Sequence, residues 1–158
     1  MTLMTTSNRG IDLIKEFEGL SLKAYLCPAG RWTIGYGHTA GVRKGQVITQ
    51  DDAGRMLADD CHVAERTLNA LGVNFRQEQF DALVSWIFNL GTGSFSTSTL
   101  RKRILAGAAD EQVADEMVRW VNASGKPMPG LMRRRAAEAN MFLGRERYKV
   151  SNNRIVKI

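Results

Sequence analysis

Apolar side chains recur at helical spacing over most of this chain and alternate at two-residue spacing in one short region near its start. Ile11, Ile14 and Phe17, with Leu13 beside them, predict a helix from a Ser7 or Asn8 cap to Glu18, stopped by Gly19. Leu22–Cys27 then reads as a strand, Pro28–Arg31 as a turn and Trp32–His38 as the return strand. In that strand Trp32, Ile34, Tyr36 and His38 point one way. Thr33, Gly35 and Gly37 point the other, so one face is bulky and its opposite nearly bare. Glycine weakens a strand, and a bare face marks close approach by a ligand or another backbone.

Thr49-Gln50-Asp51-Asp52 resembles a capping box and opens a helix carrying Ala53, Met56, Leu57, Cys61, Ala64, Leu68 and Leu71, ending near Gly72. Gln77–Leu90 is strongly apolar and reads as the central core helix, ended by Gly91. Further helices are expected from Thr97 or Ser98 to Ala106, from Asp110 to Val121 and from Leu131 to Leu143. Gly125–Gly130 is expected as a loop, and the segment after Gly144 as a polar, basic tail with little to bury. This order predicts a single α+β domain: a small lobe over residues 1–50, a connecting helix over 51–72, a mostly helical lobe over 73–144 and a tail over 145–158. A cleft between two lobes is the expected place for a ligand.

Composition narrows this picture. With 158 residues, 44% hydrophobic and 24% charged, the chain buries a core without disulfide or metal, and disorder, collagen and coiled coil are excluded. No apolar run approaches the roughly 18 residues of a membrane span, and the first ten residues lack the pattern of a signal peptide; a cytoplasmic origin is the expectation. Cys27 and Cys61 are then expected as free thiols. The net charge is +6, but nine Lys or Arg against Glu138 and Glu146 leave +7 in the last 33 residues and −1 before them. A basic end points to an anionic partner: nucleic acid, lipid headgroups or cell-wall polymer.

Candidate chemistry clusters early. Glu18 ends the first helix, Cys27 lies at the hairpin corner, and Thr33 on the bare face of the return strand; these places can converge on one cleft wall. A carboxyl sheltered by apolar neighbours keeps its proton and can act as general acid, and a hydroxyl with a second acceptor can hold a water. His38 reads as a structural histidine paired with a carboxylate rather than as a base for Cys27. Cys61 and His62 diverge by about 100° on their helix, a poor geometry for one metal, which leaves Cys61 in the core and His62 facing solvent. Arg133-Arg134-Arg135 spreads around its helix without a nucleic-acid motif. It reads as a solvated basic face with some pairing to Glu138.

Glu18-Gly19, Ala24–Cys27 and Gly30-Arg31-Trp32-Thr33-Ile34-Gly35-Tyr36-Gly37-His38-Thr39 together resemble the catalytic segment of the phage-type lysozymes. The family's Glu-x8-Asp/Cys-x5-Thr spacing is met by Glu18, Cys27 and Thr33. The likeness continues through Ile48–Ala53, Phe80–Leu83, Phe88–Gly93, Ser98–Leu100, Gly130-Leu131 and Arg134–Glu138, covering roughly residues 9–143.

The resemblance implies a lysozyme-like fold and a monomeric endolysin muramidase without cofactor. It would hydrolyse the β-1,4 bond between N-acetylmuramic acid and N-acetylglucosamine in peptidoglycan. Glu18 would be the general acid, and Thr33 and Cys27 would position the attacking water. Phe88 would touch sugar or pack in the core. Glycosidases usually flank the bond with two carboxyls, and here Cys27 takes the place of the second. As thiolate Cys27 could be base or nucleophile; as thiol it could only shape the water site. The enzyme would collect in the host cytoplasm, reach the wall after holin-type permeabilisation, and be drawn to anionic envelope by its basic end, with no nucleic-acid partner and no stable membrane insertion. The rival readings are a non-catalytic peptidoglycan-binding module, a basic nucleic-acid-binding protein and a transglycosylase.

Overall fold

A computed structural model describes residues 2–158. The first helix, α1, runs Asn8–Glu18, and its apolar face buries Leu13 and Ile14. Ser7 is its N-cap, but the Ser7 hydroxyl donates to Asp81 instead of capping its own helix, and the Ser7 N–H donates to Asp81 Oδ1 at 2.9 Å. The carboxylate of another helix thus satisfies the exposed donors and meets the positive end of the α1 dipole.

β1 (Ser21–Leu26) pairs antiparallel with β2 (Trp32–Gly35), with Tyr25 opposite Thr33 and a register shift between Ser21 and Tyr25. The return strand is shorter than its sequence pattern predicts. Gly35 and Gly37 take φ of 66° and 80°, a left-handed conformation that glycine adopts without steric cost, and the chain doubles back so that His38 bridges Ile34. His38 therefore does not continue the strand's alternation. Residues 46–48 extend the sheet: Ala24 N–H donates to Gln46 O and Ile48 N–H to Leu22 O, each at 2.9 Å.

α2 (Gln50–Asn69) starts at the predicted capping box, with Thr49 and Asp52 exchanging both bonds, and ends three residues short of Gly72. α3 (Gln77–Leu90) is buried from Gln79 to Ile87 and forms the centre of the main core. α4 (Thr92–Ser96) is a short helix that the sequence pattern does not reveal; it delivers Phe95 edge-on to Trp86, which Trp120 also meets edge-on. α5 (Thr99–Leu105) is capped by Ser98, and α6 (Asp110–Met117) stops before Val121. The expected 125–130 loop is instead a small hairpin, β3 (Asn122–Ala123) with β4 (Lys126–Pro127), followed by α7 (Pro129–Leu143) with proline at its first position.

Two expectations fail at the C-terminal end. Residues 148–157 form a second hairpin, β5 (Tyr148–Ser151) and β6 (Arg154–Lys157), not a loose tail. Its inner face buries Tyr148 against Ala114, Ala136 and Ala139, with Val150 and Ile155 alongside. Arg134 and Arg135 are not solvated: both are buried, and Glu138 pairs with each of them.

Candidate active site

Glu18 is the last residue of α1, and the chain turns away at Gly19, leaving its side chain at the helix end. The side chain is only 20% exposed. Its Oε2 accepts a charge-assisted hydrogen bond from Nη1 of Arg134, and the same guanidinium lies 5.9 Å from the Phe17 ring centre. The sequence reading expected an apolar shelter for this carboxyl; the structure supplies a buried cation. On the other side stands Gly37. A Cβ there would sit 3.1 Å from Glu18 Oε1, so the bare position admits the carboxylate.

Two cavities meet at Glu18. One, of about 680 Å³, is bounded by Arg31, Gly37, Asp60 and Phe88. The other, of about 830 Å³, is bounded by Phe17, Met128, Leu131, Arg133 and Arg134. Glu18 and Asn89 line both, which makes one groove with the carboxylate near its midpoint. Such a concave groove, with both polar and apolar walls, is the default place for a ligand.

Phe88 is partly buried, packing against the core and lining the first cavity at once. Cys27 and Thr33 lie together. Cys27 N–H donates to Arg31 O at 2.9 Å, and Thr33 Oγ1 donates to the same oxygen at 3.0 Å. Hydrogen bonding from the Arg31 backbone, helped by the Thr33 hydroxyl against partial desolvation, holds the Cys27 thiol below the usual thiol range. Thr33 is nearly buried, and neither residue is on the walls of the two cavities; Arg31, between them in sequence, is. The structure therefore joins Glu18 with Phe88, and Cys27 with Thr33.

Cys61 is fully buried, and desolvation, with Glu65 and Asp60 nearby, pushes its thiol up to about 12. His38 pairs with a carboxylate as expected: Nδ1 lies 2.8 Å from Asp60 Oδ2, and Nε2 lies 2.9 Å from Ala40 O. His62 is half exposed but not free, with Nδ1 2.8 Å from Glu65 Oε1.

Residues 15–138 match the model of the phage lysozyme family. The chain belongs to that family. It is 44% identical over 144 residues to an endolysin of Acyrthosiphon pisum secondary endosymbiont phage 1, covering 88% of this chain and 98% of that one. It is 41% identical to an endolysin of Bacillus phage B103, of whose greater length it spans 57%. The muramidase domain of SpmX from Asticaccaulis excentricus superposes with a TM-score of 0.82 at 39% identity, over 88% of this chain and 97% of that chain. The fold is lysozyme-like, and the protein is a glycoside hydrolase of phage lysozyme type.

Sequence reasoning missed residues of the groove and those directly behind it. Asn89, on the groove wall, sits inside the Phe88–Gly93 motif; Arg134, also on the wall, and Arg135 and Glu138, buried behind it, sit inside the Arg134–Glu138 motif, so position signalled them but role did not. Asp60 carried no signal, because a carboxylate on an exposed-looking helix turn reads as solvated.

Proposed function

We propose that the enzyme cleaves the β-1,4 bond between N-acetylmuramic acid and N-acetylglucosamine in peptidoglycan, with the glycan strand lying through both cavities. The observation that carries this is Glu18 at their junction, lining both. A strand running from one cavity to the other presents a glycosidic oxygen to that carboxyl. Glu18, protonated, gives its proton to the leaving oxygen as the bond opens and the sugar ring takes on positive charge. Arg134 fixes the orientation of the carboxyl and favours the anion it becomes. Thr33 and Cys27 position the attacking water from the neighbouring hairpin corner. Their shared acceptor, Arg31 O, and the lowered thiol support that role. Phe88 offers an apolar face to a sugar in the first cavity, and Asp60, held by His38, offers an acceptor for its hydroxyls.

The same reading puts the enzyme to work on the wall from inside the cell after a holin-type membrane lesion. Expression in bacteria should then leave cells intact until the membrane is permeabilised, and lyse them afterwards.

Wall lysis tests the chemistry. Purified protein should clear bare peptidoglycan to muropeptides with free reducing ends, and Glu18→Gln should lose about 10³-fold or more of that rate. Anhydro-sugar products would identify a transglycosylase instead. Lysis by Glu18→Gln at a near wild-type rate would overturn the assignment of the acid.

A further inference from the structure

Glu138 touches neither cavity, yet it holds two guanidiniums that each bond a residue of the groove wall. It is fully buried. Its Oε2 accepts from Ser85 Oγ at 2.5 Å and from Arg134 Nε at 3.2 Å, and its Oε1 accepts from Arg135 Nε at 2.7 Å. Arg134 continues to Glu18, and Arg135 Nη2 donates to Asn89 Oδ1 at 2.8 Å. Glu18 and Asn89 are the two residues shared by both cavities.

We propose that Glu138 is a positioning residue for the hydrolysis: through Arg134 and Arg135 it orients Glu18 and Asn89 together and balances the charge behind them. The four groups alternate in sign from Glu18 through Arg134 and Glu138 to Arg135, and with Glu18 as carboxylate their charges cancel. Burial is what makes this balance matter, because charges in a dry interior are screened far less than those at the surface. The other charged groups around Glu18 are Lys15 and Glu16 on α1, Arg31 and Asp60 in the first cavity and Arg133 in the second. All of these are at least partly exposed. A plain structural ion pair would stabilise the fold. A balancing one also sets the pH range over which the acid works.

The inference rests on Glu18 being the general acid, and its test separates the two. Glu138→Gln leaves two buried cations facing one carboxylate. The alkaline limb of the pH–rate profile on bare peptidoglycan should move to lower pH by about one unit, with about tenfold less activity at neutral pH. Arg135→Met leaves the opposite imbalance, and its limb should move to higher pH. The double variant Glu138→Gln/Arg135→Met should return the limb to the wild-type position, and Glu138→Asp, which keeps the charge, should not move it. If Glu138→Gln fails to fold, as circular dichroism would show, the Arg135→Met limb and its return in the double variant decide. Folded single variants with wild-type limbs, or with limbs moving in the same direction, would overturn the proposal while an inactive Glu18→Gln control leaves the acid assignment standing. An active Glu18→Gln would instead bring down the reading on which it rests.

Discussion

Cys27 and Cys61 show how one side chain takes opposite characters from its surroundings. Cys27 sits at a hairpin corner among backbone and hydroxyl donors that favour its thiolate, while Cys61 lies in a dry core that penalises the charge. Iodoacetamide near neutral pH should therefore label Cys27 and leave Cys61 untouched in the folded protein, read by peptide mass. Thr33→Val should raise the pH at which Cys27 reacts, because it removes a hydroxyl that stabilises the anion. Equal labelling of both cysteines would mean that the core around α2 opens on the labelling timescale. Glu18, Cys27 and Thr33 stood out in the sequence as candidates because they lie within fifteen residues of one another and punctuate local elements. Arg134 was not legible as the neighbour of Glu18. Its contact with Glu18 spans 116 positions, and no local pattern encodes which of three consecutive arginines turns inward.

At the scale of elements, helices with strong periodicity and recognisable ends were readable, among them α1 to Gly19, the capping box of α2 and α3 to Gly91. The C-terminal hairpin was not, because its two strands are four residues each and carry scattered charge. What makes it fold is pairing. Asn152 and Asn153 adopt φ of 52° and 57°, as a two-residue turn between right-twisted strands requires, and asparagine tolerates that conformation better than most residues. Tyr148 then enters the core, with its Oη donating to Asp115 Oδ1 at 2.5 Å. Burial, with the Asp115 carboxylate as bonding partner and neighbouring charge, pushes the phenol up to about 12. The folded state thus holds this proton more tightly than the unfolded chain, whose tyrosines titrate near ~10. The stability it contributes is complete below pH ~10 and is lost as pH rises toward 12. Tyr148→Phe should cost about 1 kcal/mol at neutral pH and flatten the fall in urea-unfolding stability between pH 10 and 12. A variant as pH-sensitive as the wild type over that window would show that the hairpin is not held through this phenol.

For the molecule as a whole, the sequence puts +7 into the last 33 residues, and folding redistributes that charge. Arg134 and Arg135 go inside to meet Glu138 and Glu18, while Arg145 and Lys157 pair with Glu111 and Asp115. Lys149 and Arg154 remain exposed on the hairpin, with no ion pair among the described residues. Surface cations of this kind act over about 8 Å at physiological salt. Binding to bare walls should weaken severalfold between low and physiological ionic strength in a pelleting assay, and less steeply for Lys149→Ser/Arg154→Ser; binding indifferent to salt would exclude an electrostatic contribution. The sequence by itself determined the α+β order, the helix with Glu18 at its end, the glycine positions beside it and the family, because each rests on spacing between near neighbours. Only the tertiary structure decided that Glu18 faces a guanidinium instead of an apolar wall. It also decided that two cavities meet at that carboxylate, and that a buried carboxylate stands behind the arginines. Those facts depend on contacts between α1, α3 and α7, segments far apart in the chain, whose long-range register no local periodicity records.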